Sequence, residues 1–289
     1  MWILLALLTA FLVATRDTIA KKLLGKDLHP LVLGGSLFTV SGILLAGVIA
    51  YTGAPAIRGG FYFAVVSSAA LNVVATIFLL RSLKYGDISI VTPLLSFTSV
   101  FAVGTSYLML GEKPTLLGAA GILLVVLGSY VLHWETFGEG VGTVFRRIRA
   151  SRAGLYMLAV ALIYSVSANL DKMASLRSSP VFTSVVLDLL LGLTLLALVP
   201  LMRNEGIFEW AAVRRHALWL VFLGALFAVT TWAHFTALTL EIVPYVSAVT
   251  RLSALFAVIF GIIYFGEKSG GWRLLGASIM IFGVVLIAL

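Results

Sequence analysis

Long apolar runs separated by short breaks cover almost the whole chain. They predict ten helices near 2–24, 30–51, 60–83, 87–110, 114–133, 153–175, 180–202, 216–240, 242–265 and 270–289. Each run is close to the 20 or so residues that a helix needs to cross about 30 Å of hydrocarbon. A backbone in lipid must close its own hydrogen bonds, so only helices or a closed barrel can span it. Barrel strands alternate apolar and polar positions; these runs do not. The breaks carry the expected punctuation: Gly25 to Pro30, then Thr52 to Pro55, with Pro30 and Pro180 opening the second and seventh spans. Proline suits a first helical turn, where its missing N–H would have no partner anyway.

The pattern occurs twice. Gly111-Glu112-Lys113 returns as Gly266-Glu267-Lys268, 155 residues later, and the same shift carries Gly121 onto Gly276, Gly128 onto Gly283, Thr76 onto Thr231, Thr98 onto Ser253 and Leu83 onto Leu238. Five spans per copy is an odd number, so the second copy must enter the membrane from the opposite face. Inverted repeats with a site between them are a transporter architecture. The expectation is an all-α integral membrane protein, with ten transmembrane helices arranged as two inverted-topology five-helix repeats around a central cavity. The first repeat is 1–134, a basic polar linker is 135–152 and the second repeat is 153–289.

Composition agrees. Of 289 residues, 61% are hydrophobic and 11% charged, and mean hydropathy is +1.11, against roughly 25% charged in soluble domains. No room is left for a soluble domain. The first run begins at Met1-Trp2-Ile3 without a basic start and is long enough to span, so it reads as a span rather than a cleaved signal. The chain has no cysteine, which excludes disulfides and thiolate chemistry. The net charge of +8 does not point to nucleic acid, because the basic residues sit in short loops. Loops after the odd-numbered spans hold 14 Lys and Arg: Lys21, Lys22, Lys26, Arg81, Lys84, Arg146, Arg147, Arg149, Arg152, Arg203, Arg214, Arg215, Lys268 and Arg273. The other face holds 4: Arg58, Lys113, Lys172 and Arg177. The positive-inside rule places the richer face in the cytoplasm and both termini outside.

The ten spans, the doubled Gly-Glu-Lys and the Leu116-Leu117-Gly118-Ala119 and Leu274-Leu275-Gly276-Ala277 stretches that follow it resemble the EamA-type drug/metabolite transporter superfamily over essentially the full chain. The resemblance implies a basket of ten helices around a cavity and transport of amino acids, metabolites, drugs or phosphorylated compounds, with no fixed substrate. It also implies cytoplasmic termini in many members, opposite to the charge count.

Arg251 falls near the middle of the ninth span. A guanidinium at that depth costs about 2.5–3.5 kcal/mol on insertion scales, so it faces a cavity or a partner. It either grips an anionic group on a substrate or pairs with Asp188, at similar depth in the seventh span; Ser96 stands at its repeat-related position. Asp188 is then a fixed ion-pair partner or a proton-coupling carboxylate. His234, in the eighth span, reads as a proton relay, a substrate donor or a satisfied structural donor. Arg16 and Asp17 lie toward the end of span one, with Lys21 a turn beyond Asp17, and Asp171 and Lys172 occupy the matching end of span six. They read as snorkelling interface charges or as gates, one at each mouth. Small polar groups Asn72, Thr76, Thr92, Ser96, Asn169, Thr231, Ser247 and Thr250, with Tyr164, Trp232 and Phe235, read as cavity wall or helix packing. Glu112 and Glu267 read as structural, pairing with the neighbouring lysine or a helix end. Pro93 and Pro244 mark possible helix interruptions. There is no Walker-type loop, His-Glu-x-x-His or Gly-x-Ser-x-Gly pattern, so ATP drive and hydrolysis lack their parts. The reading is a secondary transporter or exporter of small polar or zwitterionic metabolites in the inner membrane, needing no cofactor. Protons are the candidate coupling ion, and the oligomer is a monomer or homodimer. An organic-anion exchanger and a lipid-handling protein or enzyme are the alternatives.

Overall fold

The computed structural model describes residues 1–23, 28–86, 91–132, 151–200, 210–265 and 271–289. Every regular element among them is a helix: α1 Trp2–Leu23, α2 Pro30–Thr52, α3 Phe61–Tyr85, a 3-10 turn Thr92–Ser96 leading into α4 Phe97–Leu110, α5 Leu116–Leu132, α6 Arg152–Arg177, α7 Pro180–Leu198, a short α8 Trp210–Arg215, α9 Ala217–Leu240, α10 Val243–Thr250, α11 Ser253–Phe265 and α12 Gly271–Ala288. Among the described residues nine helical stretches are long and apolar enough to cross a membrane, and α5, with 17 residues, is a shorter apolar helix.

Local chemistry sets the helix ends. Pro30 and Pro180 occupy first turns. Ser179 Oγ accepts the Phe182 N–H at 3.1 Å and Ser151 Oγ accepts the Gly154 N–H at 3.0 Å, satisfying donors that have no partner within the helix. Gly111 closes α4 at φ 72°, a left-handed conformation that favours glycine. Outward positions are large and apolar, among them Leu4, Leu108, Leu116 and Leu218, as lipid contact requires. Helix contacts inside the bundle are lined by small hydroxyls such as Ser41, Ser68, Ser106 and Ser165. These let backbones approach and bond across.

The closest approach is between α5 and α12. A Cβ on Gly121 would sit 2.5 Å from the Gly283 carbonyl oxygen, and one on Gly128 would sit 2.8 Å from that of Gly276. The 155-residue shift turns the first of these pairs into the second. The related helices α2 and α7 also pack on each other, through Gly35 and Gly192.

Two predicted spans are not continuous helices. The ninth breaks at Arg251-Leu252, between α10 and α11, and all of α10 but Thr250 is buried. The fourth begins, among described residues, with the 3-10 turn that holds Pro93. Pro244 sits in the first turn of α10 and interrupts nothing. The polar stretch before α9 contains the unexpected α8. The linker 135–152 lies mostly outside the described residues, as do Glu267 and Lys268.

Candidate functional site

Seven helices and the break between α10 and α11 converge on an internal chamber of roughly 210 Å³. The α6 helix contributes Tyr164, Ser167 and Asp171, which share a face at i, i+3 and i+7. From α9 come Thr231, His234 and Phe235. Asp188 comes from α7, Asn72 from α3, Phe38 from α2 and Thr98 from α4. Ser247 and Thr250 lie on α10, and Arg251 stands where that helix stops.

The two carboxylates in the chamber are solvated by hydroxyls. Ser41 Oγ donates to Asp188 Oδ2 at 2.6 Å, with Thr231 Oγ1 at 3.3 Å. Ser68 Oγ donates to Asp171 Oδ1 at 2.5 Å, and Ser167 Oγ reaches its other oxygen at 3.5 Å. The Asn72 amide donates to Ser167 Oγ and to the Ser68 carbonyl, fixing the serines that serve Asp171. Among the described residues neither carboxylate has a cationic partner. Elsewhere in the chamber the converse holds: Arg251 Nε and His234 Nδ1 are buried with no hydrogen-bond partner among the described residues. A buried donor left unpaired is costly, a charged one most of all. An anion entering the chamber would remove that cost.

Next to Asp171, an ion pair ties separate pieces of the chain together. Lys172 Nζ lies 2.5 Å from Glu112 Oε1 and donates to the Glu241 carbonyl at 2.6 Å, while Glu112 Oε2 accepts the Val243 N–H at 2.9 Å. These contacts tie the turn after α4, the end of α6 and the turn between α9 and α10. Tyr245 adds to these ties: its OH accepts the Thr115 N–H at 2.9 Å and fills the space beside Gly118.

The chamber adjoins a vestibule of roughly 480 Å³, which shares Phe38, Asn72, Tyr164 and Leu191 with it. Its walls come from the ends of α1, α3 and α7 and the start of α2, with Arg16, Asp17 and Thr76 among many leucines. Arg16 donates through Nε and Nη2 to Asp17 Oδ1 at 2.9 and 2.7 Å, and its guanidinium carbon stands 5.1 Å from the Phe227 ring centroid.

Of the residues singled out from sequence, Arg251, His234, Asn72, Thr231, Ser247, Thr250, Tyr164, Phe235 and Asp188 meet in the chamber, and Thr76, Arg16 and Asp17 in the vestibule. Others go elsewhere. Thr92 is exposed. Ser96 bonds Ser129 on α5 at 2.7 Å. Asn169 bonds Ser106 and Thr105, joining α6 to α4. Trp232 is 38% exposed on the outside of α9. The Arg251–Asp188 ion pair is not formed, because the Asp188 oxygen turns to hydroxyls on α2 and α9. Asp17 is held by Arg16 rather than by Lys21. Asp171 and Lys172 are buried, not snorkelled. Glu112 pairs with Lys172, and Lys113 lies over the Tyr107 ring instead. In sequence Asp171 reads as an interface charge or gate rather than as a chamber residue, and Ser167 is not singled out at all; they lie two turns and one turn beyond Tyr164 on the same face of α6.

A family model described as the EamA-like transporter family matches residues 1–134 and again 151–289. A solved crystal structure superposes with TM-score 0.79 at 16% identity, covering 100% of this chain and 98% of the other, which shows a common fold. No curated protein matches significantly. With two matches that together span nearly its whole length, the chain belongs to the EamA-like transporter family and is a multi-pass membrane transporter of the drug/metabolite type.

Proposed function

We propose that the protein is a secondary active transporter that moves small polar or zwitterionic metabolites, amino acids or related compounds, outward by alternating access. It is not an enzyme. The observation that carries this reading is Arg251: a guanidinium whose buried Nε has no hydrogen-bond partner among the described residues, at a helix break, in a chamber flanked by an ion pair on one side and a vestibule on the other. A substrate carboxylate takes the place of the missing counter-ion. The hydroxyl-bound Asp188 and Asp171, in the same chamber, offer partners to an ammonium group.

Two five-helix halves of inverted topology, exchanging which end is latched, account for the pairing of Gly121 with Gly283 and of Gly128 with Gly276. Charge counting puts the vestibule on the cytoplasmic face of the inner membrane, because it lies at the ends of α1, α3 and α7, where the basic loops begin. Lys172 and Glu112 then form the external gate. The carboxylates, without cationic partners, are the candidates for proton coupling.

The test is transport in proteoliposomes over a panel of anionic, zwitterionic and neutral metabolites. Arg251→Ala abolishes transport of the carboxylate-bearing substrates while size-exclusion behaviour and helical content stay unchanged. Full activity of that variant across the panel removes Arg251 from the site.

A further inference from the structure

We propose a second binding site, in the vestibule at Arg16, for a carboxylate attached to an apolar body. This site is separate from the chamber at Arg251; its binding does not depend on the transport reading, and only its place on the path to Arg251 rests on that reading.

Three observations build it. First, Arg16 and Asp17 are the only Lys, Arg, Asp or Glu side chains among the described residues that line the vestibule; most of the rest are leucine, alanine, proline or phenylalanine. A ligand seated there meets one cationic group and a leucine wall, the complement of a carboxylate with an apolar body. Second, the Arg16 guanidinium is held in place. It lies over the Phe227 ring and spends Nε and one Nη2 hydrogen on Asp17, so its Nη1 amino group has no protein partner among the described residues. Stacking on a ring fixes the plane of the fork that binds carboxylates through two parallel bonds. Third, the anion that holds Arg16 is easy to displace. Arg16 is 20% exposed and Asp17 60%, and pairs this exposed contribute little. Asp17 acts as a stand-in anion that a ligand carboxylate can replace.

The position gives the site a purpose. Tyr164, Asn72, Phe38 and Leu191 line both spaces, so a carboxylate leaving Arg16 passes those groups and reaches Arg251. The two guanidiniums form a relay, and Asp17 keeps the first one from holding its ligand too tightly.

The chain has no cysteine, so single reporters can be installed without a background. Thr76→Cys reports on the vestibule and Ser247→Cys on the chamber, since each residue lines only one of the two spaces. Full-length protein in nanodiscs is labelled with a small maleimide while 3-phenylpropionate is titrated, with 3-phenylpropylamine as control. The acid and not the amine slows labelling at Thr76→Cys. Arg16→Gln raises the half-protecting concentration at least about tenfold, Asp17→Asn lowers it about threefold or more, and Arg251→Gln changes it less than about twofold. The gain in Asp17→Asn is a result that a purely structural pair does not give, and it keeps the test open even if Arg16→Gln fails to fold. Three outcomes overturn the proposal: protection that survives Arg16→Gln but is lost in Arg251→Gln, equal protection by the amine, or a Thr76→Cys reporter blocked in nanodiscs without probe yet reactive in detergent, which puts lipid in the vestibule. Loss of Ser247→Cys protection in Arg251→Gln bears on the chamber alone.

Discussion

One ion pair lies beside the chamber and another in the vestibule, and the pairs differ in what surrounds them. Lys172–Glu112 is 10% and 12% exposed and is bonded on both sides to backbone at the α9–α10 turn. Arg16–Asp17 is 20% and 60% exposed and joins neighbours on one helix. The first ties three distant pieces of chain together. The second ties nothing distant, so breaking it costs the fold little. In sequence the two look alike, charged doublets toward the ends of spans one and six. Their roles come from what folds around them: Glu112 and the Glu241 carbonyl hold Lys172, whereas Arg16 lines the vestibule.

The largest effect expected from this contrast is on stability. Lys172→Met leaves Glu112 buried beside a backbone N–H with its charge uncompensated, and removing one partner of such a pair costs about 3–5 kcal/mol. Thermal unfolding in nanodiscs should show a marked loss. An unchanged midpoint would mean that the pair is solvated in the membrane and is no gate. The double variant Lys172→Met with Glu112→Gln should recover most of that loss, because no lone charge remains, yet hold the end less firmly. A Ser247→Cys reporter in it should become reactive to a membrane-impermeant thiol reagent from the latched side, while Thr76→Cys loses reactivity from the vestibule side. Both reporters unchanged would separate the pair from gating. Next in size is Arg16→Gln, which should shift stability by less than about 1 kcal/mol. That shift should shrink further as ionic strength rises, whereas the Lys172→Met loss should not, since salt screens exposed charges and not buried ones. Smallest of all, Trp232→Leu exchanges one lipid-facing apolar group for another and should leave both stability and transport within error; a transport defect there would put the α9 outer face in the mechanism.

Helix positions, proline starts and the repeated glycines were readable because lipid leaves the backbone few choices and the spacing is periodic. Depth was readable too: Arg251 and Asp188 do share one chamber. Rotation about the helix axis was not. Ser96 and Asn169 have the composition of cavity residues, but they face α5 and α4, and Trp232 faces outward. Nothing in a continuous apolar run marks which side looks inward when both lipid and neighbouring helices are apolar. The Arg251–Asp188 pair failed for a related reason, since equal depth does not set side-chain direction and Ser41, 147 positions away, supplies the bond instead. Lys172 was a gate candidate, but its pairing with Glu112 escaped because the partners come from one helix and two turns that meet only after folding.

The proposed function rests on the Arg251 guanidinium receiving an anionic group in the chamber. A thermal-shift screen of metabolites on the wild-type protein and on Arg251→Gln tests it most directly, because a ligand that binds the folded state raises its midpoint by mass action. The expected result is that stabilising metabolites share a carboxylate or another anionic group, and that Arg251→Gln, itself folded, loses their shifts. Stabilisation by neutral or cationic compounds alone, or shifts that persist undiminished in Arg251→Gln, would contradict it.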